Sequence, residues 1–454
     1  MNEEPLKKAR PDFRKTNTCN MKQFIFEAKQ KQFLMGLMAL GAVCLVLSFI
    51  FEPASIAEAG FHQRFWTNLL HNGVFFTGMS FMITFVIAAF ITAYSGWHVM
   101  FKRIWEAFSL FLIVGLVILA IIGLGNVMHL HHLYHWAAEG VTDPSSPHYD
   151  EIIAGKSGFL NNGWYIGGTL IIGGLWYFIA RKMRQLSVQE DIDGDKVENF
   201  AYHRKMRFWA AVFLPIAAFT GPALIWQWVM SVDAHWYSTL FAWYSMASWF
   251  LAACSLTILL LIYLKSKGYF EKVTTEHLHD LGKYMFAFSI FWTYCWFSQY
   301  MLIWYGNVGE ETIYFKERLT HYPVLFYGNL VVNFVLPFLI LMRNTTKRRK
   351  GTLVFTAILV FIGHWWDYFY MIKPGTLITA QEAVHSGAHE AGHHAGGGFV
   401  EGFTIPGLLE IGIMLGFLGL FIYVVFHHLS KASLDPVNDP YYEESLHHEV
   451  QPYE

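Results

Sequence analysis

The stretch Lys350–Ile372 reads KGTLVFTAILVFIGHWWDYFYMI, and past its first lysine only His364 and Asp367 can carry charge. A bilayer core of about 30 Å is crossed by roughly 20 residues of helix, so this run is long and apolar enough to span. His364 and Asp367 lie 14 and 17 residues past Lys350. Spaced i and i+3, they share one helix face about a turn apart. Charged groups exposed to lipid are costly, so the pair should face the interior of a helical bundle.

Working outward, the 454 residues are 54% hydrophobic, 18% aromatic and only 15% charged. An ordinary soluble protein carries about a quarter charged residues. That contrast argues against a soluble enzyme, because 41 Phe, 23 Tyr and 17 Trp would leave large apolar patches in water. Ten runs have span length, near Gln32–Phe51, Trp66–Tyr94, Ile104–Val127, Phe159–Arg181, Met206–Met230, Ser238–Leu264, Leu281–Tyr305, His321–Met342, Lys350–Ile372 and Ile405–Phe426. The expectation is an all-α polytopic integral membrane protein of about ten transmembrane helices, arranged as two four-helix bundles, each flanked by one peripheral helix. The first run reads as a retained anchor rather than a signal peptide. A net charge of −2 offers no basic face for nucleic acid. The four cysteines lie far apart, so disulfides, zinc sites and iron–sulfur clusters built on them are not expected.

Basic residues favour the cytoplasmic side. With both termini inside, only Arg64, Lys156, Lys316, Arg318 and Lys373 of the 32 Lys and Arg face out. The chain therefore divides into a basic cytoplasmic segment 1–31, a ten-helix membrane domain 32–427 and an acidic cytoplasmic tail 428–454, the tail expected to be ordered only by a partner. Two outer loops, 128–158 and 373–404, are histidine-rich: HLHHLYHW from His129, and His385, His389, His393 and His394 before three glycines. Clustered imidazoles suit Zn or Cu, but the blander expectation is a flexible, solvated loop that contacts partners.

Polar groups inside the spans gather toward the outer half. Span five ends in WQWVMSVDAHWYS with Asp233 and His235; span two contributes His71, span seven Gln299 and span ten Glu410. With His364 and Asp367 these form one expected polar compartment. A histidine beside a carboxylate suits proton transfer near neutrality, and quinol oxidation releases two protons. Trp226, Trp228, Trp236, Trp243, Trp296, Trp304, Trp365 and Trp366 offer walls for a ring, although an interfacial belt accounts for most of them. Pro215 and Pro222 should disturb span five. On the inner side, His98, Glu106, Asp280 and Lys283 read as interfacial anchors. His71, His235 and His364 lie at depths that would suit haem b ligands but have no inner-side pair to match them, and a secondary transporter lacks matching Gly/Pro breaks in two halves.

The strings SVDAHWYSTLFAWY from Ser231, FAFSIFWTYCWFSQYMLIWYGNVGEET from Phe286 and GHWWDY from Gly363 resemble the NrfD/PsrC-like integral membrane family, as it occurs in the F subunit of bacterial alternative complex III. The resemblance runs from the second span to the tenth. It implies a subunit of a quinol:electron acceptor oxidoreductase in the bacterial cytoplasmic membrane, with cytochrome c or an oxidase as acceptor. No redox cofactor is implied in this chain; haem c and iron–sulfur clusters belong to partner subunits. A quinone, menaquinone or ubiquinone, is the implied substrate. A homologous C membrane subunit and a terminal oxidase are implied partners, and the C homologue is the better candidate for quinol oxidation. A non-catalytic scaffold for those outer subunits is the alternative.

Overall fold

A computed structural model describes residues 23–51, 62–194, 200–387 and 405–450. The described chain is all-α, with one isolated Gln23–Ser433 bridge as its sole β pairing. Ten long helices correspond to the ten apolar runs: α1 (Ala28–Ile50), α2 (Gln63–Thr92), α3 (Val99–Val127), α4 (Asn162–Asp193), α5 (Ala201–Trp228), α6 (Leu240–Ser266), α7 (Thr275–Gly306), α8 (Pro323–Leu341), α9 (Lys350–Gly387) and α10 (Leu408–Leu429). All but α7 are long and apolar enough to cross a membrane. Helix α7 is more polar, with His277, His279, Asp280 and Lys283 in its first turns, but its 32 residues run alongside α6. The protein is a polytopic membrane protein.

Helices α2 to α5 pack as one bundle and α6 to α9 as another, joined where α2 meets α6 and α9 and where α5 meets α6. A glycine makes that seam close. A Cβ on Gly78 would fall inside the Trp249 ring of α6. The expectation of one outer helix per bundle is corrected: α1 and α10 pack on each other and share a flank against α2 and α3. Small residues explain the pairing, since Gly412 and Gly416 form a GxxxG stripe that lets backbones approach. A Cβ on Gly41 of α1 would come within 2.5 Å of the Gly416 Cα.

Short connections put the loops on two faces. On the face of the 128–158 loop, the expectation of a solvated, flexible segment is overturned. Leu133, Tyr134 and Trp136, interleaved with the histidines, are buried. The Tyr134 hydroxyl donates to the Trp228 carbonyl at 2.9 Å, and Gln63 Nε2 donates to the His132 and Thr376 carbonyls at 2.8 Å. Burial pushes His131 down to about 4, so it is a neutral packing residue at pH 7. The expected loop 373–404 also starts too early: α9 continues through Lys373 and Pro374 to Gly387. Proline costs a helix one hydrogen bond while keeping a helical φ, and Arg318 supports the disturbed turn by donating to the Met371 carbonyl at 3.1 Å. His385 is thus in α9, while His389, His393 and His394 lie outside the described residues.

The opposite face holds the tail, which docks on its own chain rather than waiting for a partner. Asp439 pairs with Lys102, Asp435 with Lys272 at 3.0 Å and His448 with Asp280 at 2.8 Å. A short helix, Tyr442–Leu446, follows, and Ser445 is buried against the Trp97 carbonyl. Residues before α1 join in, with Phe24 buried between Tyr269 and Phe426. The nominal segments 1–31 and 428–454 are therefore partly integral to the fold. Glu106 and His98 are likewise buried rather than interfacial; Glu106 sits 2.6 Å from Arg103 and 3.6 Å from Arg184.

Two outcomes follow from this packing. Gly41→Val should cost about 1–3 kcal/mol by forcing α1 off α10, lowering the melting temperature in detergent, whereas Gly36→Val, with open space at its Cβ, should be silent. Burial alone would raise the Asp439 carboxyl, but Lys102 holds it below its ordinary range. A depressed acid contributes stability that is complete above its unfolded value, about pH 4, and lost as pH falls through its folded value. Hydrogen exchange in residues 431–450 should therefore accelerate, beyond the intrinsic rate, only below about pH 4, and Asp439→Asn should show the acceleration already at pH 7.

Candidate functional site

Asp367 and His364 are wholly buried, as their position in α9 requires. Three donors converge on Asp367. Oδ1 accepts from the Tyr244 hydroxyl of α6 and from Asn329 Nδ2 of α8 at 2.6 Å, and Oδ2 accepts from Trp292 Nε1 of α7 at 2.9 Å. A carboxylate is acceptor-only, and this donor set suits it. His364 Nδ1 lies 2.9 Å from Ser248 Oγ and 3.9 Å from Asp367 Oδ2, while its Nε2 has no partner. The imidazole thus has one nitrogen anchored and one open.

Helix α8 is distorted opposite this pair. Pro337 lacks the N–H that would bond the Asn333 carbonyl four residues back, and residues Val331–Val335 widen into a π turn. Such turns often mark functional sites. Here the turn aims Asn333 Nδ2 at the Asn329 side chain, 2.5 Å away, and at the Gly363 carbonyl, 3.0 Å away. Gly363 is needed at that contact, because a Cβ would overlap the Asn333 amide oxygen.

The expected single compartment resolves into several. Asp233 pairs at 2.9 Å with Arg318, from the short helix Gly309–His321. The Arg318 guanidinium is buried and stacks 3.4 Å from the Tyr314 ring centroid. His235 instead bonds Asp150 of the folded loop at 2.6 Å and stays partly exposed. Partial burial would raise the Asp150 carboxyl, but His235 and the Ile152 and Ile153 N–H groups hold it below its ordinary range. Glu410 is gripped by Arg64 at 2.8 and 3.1 Å and caps α10 through the Gly407 N–H. His71 Nε2 bonds the Trp365 carbonyl at 2.9 Å, and its neighbour Asn72 accepts from Trp365 Nε1 at 3.0 Å, so α2 clamps α9 beside His364. Gln299 Oε1 accepts from Ser238 at 3.0 Å. The three histidines weighed for haem each contact different neighbours, with no pair among them in contact.

Between the deep pair and the Asp233 face, α9 places Tyr370 one turn beyond Asp367. Its buried hydroxyl has no partner, and its ring lies 5.5 Å from Arg318. Asp233, Arg318, Tyr370, Asp367 and His364 thus form a stepped polar series from the loop face to mid-helix. Beside its outer end is a cleft of about 260 Å³ lined by Lys156, Phe159, Trp226, Met230, Trp236 and Tyr237 among others. The indole N–H groups of Trp226 and Trp236 are buried without acceptors.

Sequence reasoning missed Tyr244, Trp292, Asn329, Asn333, Arg318 and Asp150. The asparagines carried a readable signal, two amides four apart inside LFYGNLVVNFVLP. Arg318 and Asp150 sit in polar connections and carried none. No family model matches the chain, and no curated protein matches it.

Asp367→Asn keeps the volume but replaces one acceptor oxygen with an amide donor that faces the donors on that side, either Trp292 Nε1 or Tyr244 and Asn329. The substitution should cost about 1–3 kcal/mol, read as a lower detergent melting temperature with unchanged elution.

Proposed function

We propose that the chain is a membrane subunit of a respiratory quinol:electron acceptor oxidoreductase, in which the His364–Asp367 site moves protons and the Trp226–Trp236 cleft contacts quinone. The observation that carries this reading is the pairing itself: an imidazole with one open nitrogen beside a carboxylate, both sealed at mid-depth in a membrane helix. In a low-dielectric interior such groups are expensive to keep. Their retention is understandable where protons must pass, and histidine is the side chain matched to transfer near neutral pH. Arg318 and Tyr370 link the pair toward Asp233 at the loop face, which the basic-residue distribution puts outside the cell. The quinone, menaquinone or ubiquinone, would lodge its head group against the aromatic walls of that cleft. The resemblance to NrfD/PsrC-like proteins supports the setting: the bacterial cytoplasmic membrane, both termini inside, a homologous C subunit alongside, and haem and iron–sulfur subunits outside.

Scaffolding is the second reading, favoured by the folded 128–158 loop. Met128, Leu130, Tyr149 and Tyr237 are exposed on that face, a rigid platform for an outer subunit.

Activity measured in the intact membrane assembly separates the two. His364→Gln and Asp367→Asn should each lower quinol-dependent electron transfer, or its coupling to protons, at least tenfold, a loss of about 1.4 kcal/mol or more of transition-state stabilisation, with all subunits still co-purifying. Full turnover and coupling in both variants would refute the proton role and leave the scaffold.

A further inference from the structure

We infer that Glu190, His203 and Asp439 form a site for a divalent transition-metal cation, with zinc the best-suited ion, at the tail face. Glu190 lies at the end of α4, His203 at the start of α5 and Asp439 in the docked tail. All three are buried, and one ligating atom from each lies within 4.8 Å of the other two.

Two observations beyond this proximity point to a ligand. His203 is 7% exposed, yet neither of its ring nitrogens has a hydrogen-bond partner, and Glu190 Oε1 has none either. Buried polar atoms are rarely left so. The charge count points the same way. Among the described residues, four buried carboxylates, Glu106, Glu190, Asp191 and Asp439, face three buried cations, Lys102, Arg103 and Arg184. Arg103 is committed to Glu106 and Asp191, Arg184 lies by Glu106, and Lys102 is committed to Asp439. Among the described residues Glu190 is the acid left over, beside the unpartnered imidazole.

One imidazole and two carboxylates suit zinc, which binds such atoms at about 2.0–2.2 Å and in open sites keeps a fourth position for water. A cavity of about 10 Å³, lined by His98, Lys102, His203 and Asp439 among others, adjoins two of the three residues. That is room for a single water. Tetrahedral coordination requires the donor atoms to close to about 3.4 Å from one another, a movement of the side chains from separations of up to 4.8 Å. Lys102 then acts as the outer partner that orients Asp439. Because the ligands come from two helix ends and the tail, the cation would clasp residues 431–450 onto the first bundle.

The test uses the full chain in detergent at neutral pH, stripped with chelator and then given zinc chloride. The parent should retain about one more equivalent of zinc after desalting than His203→Gln or Glu190→Gln. At zinc ten times its Kd, tryptic cleavage after the exposed Lys431 should slow about tenfold in the parent and stay unchanged in both variants. Comparison with the zinc-free parent alone decides the matter even if a variant folds poorly. Equal zinc retention by all three proteins would assign the ion to surface histidines, and an unchanged cleavage rate in the parent would refute the clasp; either result overturns the inference.

Discussion

The second bundle is organised around one carboxylate. Asp367 projects from α9 and takes a hydrogen bond from each of the other three helices, through Tyr244 of α6, Trp292 of α7 and Asn329 of α8. Within a membrane no water replaces a missing donor, so the four helices can pack only in the register that brings all three donors to it. Hydrogen bonds to a charged group are roughly twice as strong as neutral ones. Removing one partner leaves a buried group unsatisfied. The same groups that specify the bundle therefore create the setting for chemistry: a fixed acceptor, with a neighbouring imidazole whose second nitrogen is uncommitted.

That arrangement explains why α8 tolerates a π turn. A regular helix would leave Asn333 and Asn329 pointing along a single straight face, whereas the widened turn lets Asn333 reach both Asn329 and the Gly363 carbonyl. Pro337 makes the distortion inexpensive, because its missing N–H has already removed the hydrogen bond that the turn would break. Gly363 completes the contact by leaving space for the amide. Proline, glycine and two asparagines, each unremarkable alone, act together to present one hydrogen-bond donor to Asp367.

The helices were legible in the sequence because hydrocarbon imposes a length and a composition that any apolar run must meet. His364 and Asp367 were legible for the complementary reason, since ionisable groups in such a run demand burial. Their partners were less so. Tyr244 and Trp292 are indistinguishable by composition from the many aromatic residues that only pack, and Arg318 arrives from a connection whose polarity looked like solvent exposure. Grouping Asp233, His235, Glu410 and His71 by depth was where the reading failed. Depth is one coordinate; azimuth around each helix is the other, and periodicity alone does not fix which neighbour a face meets. Arg64 and Asp150 claimed Glu410 and His235 from directions that no spacing in those segments announced.

The tail shows the same limit from another side. Its acidic, proline-containing composition resembles a segment that cannot bury enough apolar area to fold. What holds it is charge complementarity with basic groups on the same face, Lys102 and Lys272, together with a few buried side chains such as Tyr442 and Ser445. Composition describes a segment by itself, while docking depends on what the rest of the chain presents. Basic residues along one face create a surface to which an acidic tail of the same chain is attracted. A tail ordered in this way carries Asp439 to a fixed position against helices more than two hundred residues earlier in the chain.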